Sequence, residues 1–453
     1  MKVVLRYLGA RAAFSSQRAR SLTGSNHAWR RFDRAGWFAG CKDHSQRDGV
    51  SRARHFCASP EKHSDARPLL VWNDEEQMVK DATRKFALES VAPLVKQMDR
   101  DAKMDAGLLG QMFANGYMGT EVSAEYGGSE MTFTQTCLIV EELARVDPAV
   151  SVIVDIHNTL NNRILSQWGS EQQKQAVLSR MATQSLSSFC LSEAGAGSDA
   201  FALRTTATES KDGGSVFVLN GAKMWISNAA EAEFFIVFAS VDLQLGYKGI
   251  TAFLVERAAS GLEIGKKEDK LGIRASSCCE VRFDSVRVPV ENIIGQTGHG
   301  YKIAIESLNE GRIGIGAQMV GLAQGALDAV IPYSMERKQF GKPIASFQGM
   351  QFQIAQALTE VEAARLLVYN AARLKDSGRP FQTEAAYAKL FASQIAQKVA
   401  SQCIDWAGGV GFTREYSMEK FYRDAKIGQI YEGTSNMQLA TIAKNMLPKW
   451  TTG

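Results

Sequence analysis

Glu432 stands between a bulky apolar pair, Ile430 and Tyr431, and a run of turn and helix-start residues, Gly433, Thr434, Ser435 and Asn436. A carboxylate in that setting is either an ordinary acid near a helix start or a base held against something reactive, because apolar neighbours disfavour its charge and raise its proton affinity. Other groups able to move protons are scarce. Four of the six histidines (His27, His44, His55 and His63) lie in or beside a basic N-terminal segment, and His157 and His299 read as structural. Acid–base chemistry therefore falls to a carboxylate. The seven cysteines form no C-x-x-C pair, which argues against a zinc site or a disulfide framework, and the adjacent Cys278 and Cys279 read as small buried hydrophobes. No metal is expected.

Four further stretches could hold a ligand. FCLSEAGAGSDA at 189–200 has Gly195 and Gly197, which allow close backbone approach, beside Ser192 and Ser198; a plain turn is the ordinary alternative. MWIS at 224–227 sets Trp225 after an Asn-Gly corner, suited either to core packing or to covering a planar cofactor. RKQFGKPIASFQ at 337–348 offers Arg337, Lys338 and Gln348 around a turn between helices, able to grip a pyrophosphate and an adenosine, or merely a solvated loop. DWAGGVGF at 405–412 puts glycines behind Trp406 at a helix end, where a glycine cap is the simpler account.

The elements that must position these residues fall into three textures. From about 73 to 185 apolar residues recur at helical spacing, with a break at Asp147-Pro148. From about 188 to 298 come short β-rich runs such as VFVLNGAKMWIS, EFFIVFASV and CCEVRFDSVRVPV, which suggest a small antiparallel sheet or barrel. From 301 onward long helical patterns return, enough for a bundle of about four helices. The expected fold is mainly α with a central β domain. Its expected parts are a leader over 1–58, an N-terminal helical domain over 59–187, a middle antiparallel β domain over 188–298 and a C-terminal four-helix bundle over 299–453.

Charge divides the chain differently. Residues 1–55 hold twelve Lys and Arg against three acids, leaving 40 basic and 45 acidic residues beyond them. Such an Arg- and Ser-rich start, with RHFCAS at 54–59 as a processing region, has the composition of a mitochondrial transit peptide; a basic tail is the alternative. The mildly acidic remainder gives no reason to expect nucleic-acid binding, and no apolar run approaches the ~20 residues of a transmembrane segment.

Together, FCLSEAGAGSD, KMWIS, LNEGRIGIGAQ, RKQFGK, the WAGGVGF glycines and IYEGTSN resemble, in order and spacing, the acyl-CoA dehydrogenase family, from about residue 70 to 448. The wordings FCLSEAGAGSDAFALRT, LNEGRIGIGAQ and YEGTSNMQLATIAK resemble its short/branched-chain members more than its short- or medium-chain ones. The resemblance implies three domains, a homotetramer, one FAD per chain reaching a neighbouring subunit, an acyl-CoA substrate, electron-transfer flavoprotein as electron acceptor and the mitochondrial matrix as location. It places Phe189, Cys190, Leu191, Ser192, Gly197 and Ser198, with Trp225, Ile226 and Ser227, around the isoalloxazine ring and ribityl chain. Arg337, Gln348 and the segment Asp405, Trp406, Ala407, Gly408, Gly409 would hold the rest of FAD, with Thr434, Ser435 and Asn436 as helix-start donors. Ser198, Tyr247, Tyr301, Asn309, Glu310, Gly311 and Arg312 would fall on the acyl-CoA site.

By the same resemblance Glu432 is the base that takes the α-proton while the β-hydrogen leaves as hydride to flavin N5, with 2-methylbutyryl-CoA the favoured substrate. Some members of the family carry the base just before the arginine corresponding to Arg312, but that position here is Gly311, and Glu310 is rotated away by about 100°. The same site run in reverse, as a 2-enoyl-CoA reductase, or a catalytically weak relative serving as an assembly protein, are the alternative readings.

Overall fold

The structure, a computed structural model, describes residues 68–210 and 215–450; the expected leader and its processing region lie outside them. Helix α1 (Asp74–Phe86) begins where Asn73 and Glu76 cap each other, the Asn73 side chain accepting from Glu76 N at 2.8 Å and Asn73 N donating to the Glu76 carboxylate at 3.0 Å. Helix α2 (Phe133–Ala144) is wholly buried, polar residues such as Glu141 and Glu142 included, and its first N–H groups, on Phe133 and Thr134, are met at 2.9 and 3.0 Å by the carboxylate of Asp376. Helix α3 (Pro148–Ile156) starts at the expected break, with Asp147 as N-cap and Pro148 in the first turn, where its missing N–H costs nothing.

The middle segment forms strands β1 (Ser187–Cys190), β2 (Thr206–Glu209), β3 (Val216–Ser227), β4 (Phe234–Ser240), β5 (Ile250–Glu256), β6 (Leu262–Lys267), β7 (Cys278–Pro289) and β8 (Ile293–Ile294). They run in the order β6-β7-β3-β2-β4-β5-β8, with β1 also on β4. The sheet is mixed where an antiparallel one was expected: β1 pairs β4 in parallel from Ser187–Phe234 to Cys190–Val237, and β2 meets β4 in parallel at Thr206–Ser240. The cause is topological, since β1 and β2 both reach β4 through longer connections and not through a hairpin. Period-two alternation explains the complete burial of β4. Phe234, Ile236 and Phe238 face one apolar cluster, and Phe235, Val237 and Ala239 the other.

Asn220-Gly221 makes no corner. β3 runs through it as a bulge, with the register against β7 shifting between Leu219 and Gly221. Gly221 has φ 146°, and a Cβ there would lie 2.6 Å from the Thr205 hydroxyl, so the pair serves close strand packing, not a hairpin.

The C-terminal part holds three long helices, α4 (Gly300–Glu336), α5 (Gln348–Asp376) and α6 (Gln382–Ala407), while two short ones, α7 (Met418–Ala425) and α8 (Ser435–Met446), take the place of a fourth. α4 is the one described helix long and apolar enough for a bilayer, and most of its apolar window is buried in the protein, as suits a core helix. A single apolar cluster runs from Ala87 through α2, α3, α4, α5 and α6 to Ala425, so the first and third textures share one core. Between α4 and α5 the expected loop is a small hairpin, β9 (Lys338–Gln339) with β10 (Lys342–Pro343), turning on Phe340 and Gly341, both at positive φ.

Candidate active site

The interruption between α7 and α8 is where Glu432 lies. The chain leaves α7 through a 3-10 turn, Lys426–Gln429, and re-enters helix behind Thr434, whose hydroxyl accepts from Met437 N at 3.4 Å. In between, Glu432 (φ 52°) and Gly433 (φ 85°) are both left-handed. A glutamate held so costs about 1–3 kcal/mol and persists only where its surroundings over-determine it. Here they do. Lys389 Nζ donates to the Gly433 carbonyl at 2.7 Å, and Gln438 Nε2 donates to the Glu432 and Gly433 carbonyls at 3.1 and 2.9 Å. On the other side the Tyr431 hydroxyl donates to Gln318 Oε1, while Gln318 Nε2 donates to the Pro148 carbonyl at 2.8 Å.

Glu432 as a residue is half-buried, yet its Oε2 is shielded from solvent and has no hydrogen-bond partner in the described structure. The carboxyl fills the space over Gly311: a Cβ there would stand 2.9 Å from Glu432 Oε2 and 3.1 Å from Leu160 Cδ2. Burial pushes the carboxyl up to about 7, against the opposing pull of Lys389 and Arg312. Burial likewise pushes the Lys389 ammonium down to about 7. Arg312 is lowered by burial with Glu432 opposing, and its Nη1 donates to Asn309 Oδ1 at 2.9 Å. One turn along the same face of α4, Gly314 leaves room for Asp155, whose carboxyl is fully buried without a hydrogen-bond partner for either oxygen. Burial first, then the neighbouring Glu432, push the Asp155 carboxyl well above its ordinary value. Glu310 turns elsewhere, to Arg163 Nε at 2.9 Å and Lys375 Nζ at 3.4 Å.

A second group is built where β1 ends. Phe189 packs against both the helical core and the β4–β5 cluster, as does Leu308 beside Asn309, which sets this wall next to α4. Cys190 is buried, its thiol pushed up to about 12 by burial. The loop after it is clamped by Lys223, a buried β3 residue whose Nζ donates to the Leu191 carbonyl at 3.0 Å and to Glu193 Oε1 at 2.8 Å. The same carboxylate accepts from Arg204 N and Thr205 N at 2.7 and 2.9 Å. Met224 N donates to the Ser192 carbonyl at 2.9 Å and the Ser188 hydroxyl to the Ser227 carbonyl at 2.9 Å, so 189–198 and 225–227 come together. Trp225 (φ 64°) is held out 59 % exposed, Ile226 is buried, and Gly197 and Ser198 are open to solvent.

The remaining candidates form outlying groups. Tyr247 and Tyr301 meet with ring centroids 4.8 Å apart and their planes tilted by 47°, both exposed. Trp406 Nε1 donates to Gln353 Oε1 at 2.9 Å, tying the 405–409 segment to the α5 turn that follows Gln348. Trp406 and Ala407 are buried there, while Asp405, Gly408 and Gly409 are exposed. Ser435 and Asn436 open α8 beside Glu432. Arg337 and Gln348 are exposed at the β9–β10 hairpin, and no described hydrogen bond ties either to the Glu432 group. Lys389, Gln438, Asp155 and the Lys223–Glu193 pair escape a reading of the sequence. The available signal was a lysine and a glutamine at core-facing spacing in otherwise apolar helical patterns.

These residues fit FAD. Around Gly195, Gly197, Gly408 and Gly409 nothing lies within 4 Å of where a Cβ would stand, so these stretches of backbone are free to be approached. An indole is held outward in a conformation a tryptophan seldom adopts, and α8 presents its capped N-terminus beside the carboxyl.

The chain belongs to the acyl-CoA dehydrogenase family. The family's models match throughout the described body: Acyl-CoA dehydrogenase, N-terminal domain, over 73–185, middle domain over 188–286 and C-terminal domain over 298–447. The probable short/branched chain specific acyl-CoA dehydrogenase of Dictyostelium discoideum is 58 % identical over 84 % of this chain and 92 % of its own. The mitochondrial short/branched chain specific enzyme of Rattus norvegicus is 55 % identical over 84 % and 87 %. Among solved structures, butyryl-CoA dehydrogenase from Megasphaera elsdenii superposes with TM-score 0.81 at 39 % identity, over 83 % of this chain and 99 % of that one. An acyl-CoA dehydrogenase of Bacillus anthracis complexed with FAD does so with TM-score 0.79 at 30 % identity, over 84 % and 68 %.

Proposed function

We propose that this FAD-dependent acyl-CoA dehydrogenase oxidises short, branched acyl-CoA esters, 2-methylbutyryl-CoA foremost, to the 2-enoyl-CoA with Glu432 as base. The observation that carries the reading is the Glu432 carboxyl itself: shielded, unpartnered at Oε2 and raised to about 7 at the end of a strained, heavily anchored turn. A carboxylate so placed takes the α-proton of a bound thioester, and the Cα–Cβ double bond forms as the β-hydrogen departs with its electron pair. Bound FAD supplies the acceptor for that hydride, at N5, and an outlet for the electron pair to electron-transfer flavoprotein. The Glu432 backbone N–H, aimed by the left-handed turn, is the chain's own donor for the thioester carbonyl. The residues of 189–198, 225–227, 337, 348, 405–409 and 434–436 hold the cofactor, and Ser198, Tyr247, Tyr301 and 309–312 the acyl-CoA.

An α-methyl substrate makes the attacked carbon tertiary and needs free volume beside Glu432. The absence of a side chain at Gly311 gives room to the Glu432 carboxyl itself, so the volume for the methyl must lie on the other side of that carboxyl. The names of the relatives support the substrate class and a mitochondrial location. The matrix, the homotetramer and the divisions 1–58, 59–187, 188–298 and 299–453 belong to the same proposal. Glu432→Gln should leave a folded, yellow protein that binds acyl-CoA and loses several orders of magnitude in turnover; retention of more than about a tenth of the wild-type rate would remove Glu432 as base. A panel of butyryl-, 2-methylbutyryl-, isovaleryl- and octanoyl-CoA tests the substrate, with a graded preference of about 10- to 200-fold expected for one methyl group. Isovaleryl- or octanoyl-CoA ahead of 2-methylbutyryl-CoA would overturn the substrate reading and leave the chemistry standing.

A further inference from the structure

Three buried lysines of this protein invite comparison. Lys223 pairs with Glu193 at 2.8 Å, and Lys420 with Asp147 and Asp424 at 2.8 and 2.6 Å. Lys389, in the first half of α6 and without solvent exposure, makes no ion pair among the described residues, and its one described hydrogen bond is to the Gly433 carbonyl. Burying an ammonium without a paired carboxylate is costly, and a main-chain carbonyl alone is a poor return in stability. The bonded carbonyl belongs to the second of two consecutive left-handed residues, and the first of them is Glu432.

We propose that Lys389 is a positioning residue for the reaction: with Gln438 it fixes the turn that carries the Glu432 carboxyl, and while protonated it favours the charge of that carboxyl. The role rests on the reading of Glu432 as base. Geometrically, Lys389 reaches the turn from α6 and Gln438 from the first turn of α8, so the two carbonyls are held from two helices. A carboxyl displaced by about 1 Å from its proton costs on the order of a hundredfold in rate. Electrostatically, the groups facing the carboxyl are Lys389 from α6, Arg312 from α4, Asp155 from α3 and the adjoining Tyr431. Of these, Lys389 and Arg312 oppose the effect of burial on the carboxyl. Lys389 is itself faced by Glu432, which favours its charge, and by Arg312, which disfavours it.

The test uses the FAD-loaded holoenzyme and two variants. Lys389→Met removes the donor and the charge; Gln438→Met removes two hydrogen bonds and no charge. For Lys389→Met, kcat with 2-methylbutyryl-CoA should fall on the order of a hundredfold with KM changed less than about threefold. The infrared carboxyl band of Glu432, assigned by its absence from Glu432→Gln, should titrate at higher pH than in the wild type, because a cation that favoured ionisation is gone. Gln438→Met should slow kcat and leave that titration where it was. Near-wild-type turnover or an unmoved titration in Lys389→Met overturns the proposal. If that variant does not fold, Lys389→Gln, which shortens the side chain and discharges it, is read by the same two measurements and the same criteria. The titration is independent of catalysis: a shifted band together with full activity in Glu432→Gln would reject the base and keep Lys389 as the group that positions this carboxyl.

Discussion

Glu432 occupies a state that a free glutamate avoids, left-handed in its backbone and raised to about 7 by burial. Two consequences follow from the direction of that shift. As the proposed base Glu432 must be ionised, so kcat/KM should rise with pH through about 7, and in Glu432→Gln this limb should vanish with the activity. Stability runs the other way. An unfolded chain gives up the proton near about 4.3 whereas the folded protein keeps it until about 7, so the wild type loses stability across that window relative to a side chain that never ionises. Calorimetric melting should therefore place Glu432→Gln level with the wild type at about pH 4 and above it at about pH 8. A variant that melted lower at alkaline pH would mean the carboxylate is stabilised where it lies. Glu432 stood out in the sequence as a candidate because a lone glutamate between an apolar pair and a helix start is a local pattern, and its reading as the base came from the family resemblance. Lys389 was not, since its partner is a carbonyl 44 residues away, and nothing in AAYAKLFA separates a lysine that snorkels to solvent from one that is buried.

Helices announced themselves through periodicity and through the break at Asp147-Pro148, while the Asn73–Glu76 capping pair emerged only in the structure. Strands were harder, because Asn-Gly is a hairpin signal whose outcome depends on the neighbouring chain, and here Thr205 presses against Gly221 from the next strand. The spacing of glycines along α4 carried more than the sequence disclosed. Gly311 and Gly314 lie one turn apart, under Glu432 and Asp155 respectively, so this stretch of helix is shaped to receive two carboxyls from different elements. A Cβ at Gly314 would stand 1.8 Å from Asp155 Oδ1, and a fully buried side chain as short as aspartate has no room to withdraw. Gly314→Ala should accordingly cost about 1–3 kcal/mol of stability, read as a lowered Tm. Combined with Asp155→Ala it should recover much of the overpacking loss, which is the part a double-mutant cycle isolates. Additive losses in the double variant would show that the clash is relieved in some other way.

Joining the three textures into one molecule is work done by buried charge as well as by the shared apolar core. Lys420 on α7 reaches the Asp147 cap of α3, and its partner Asp424 accepts from Ile273 N at 2.6 Å, so one cluster fastens the first helical region, the middle segment and the last helices together. The Glu432 turn starts a few residues beyond it and inherits that rigidity. At the opposite extreme stands the β9–β10 hairpin, whose tip residue Phe340 is 95 % exposed, with Arg337 and Gln348 exposed on its two flanks. A sequence pattern could nominate Arg337 as a cofactor ligand, but it could not place it, and among the described residues no hydrogen bond ties its side chain to the 189–198 wall. That exposure is consistent with the proposed homotetramer, in which the adenosine end of FAD would reach a neighbouring subunit and an arginine beside the hairpin would meet the cofactor from outside. Removing a charge-assisted contact to a pyrophosphate is worth roughly 1.5–3 kcal/mol, or about ten- to a hundredfold in retention. Arg337→Ala should therefore emerge from dilution and gel filtration with less flavin per chain than the wild type, and added FAD should restore its turnover. Undiminished flavin after the same treatment would take Arg337 out of the cofactor site and leave its hairpin to some other purpose.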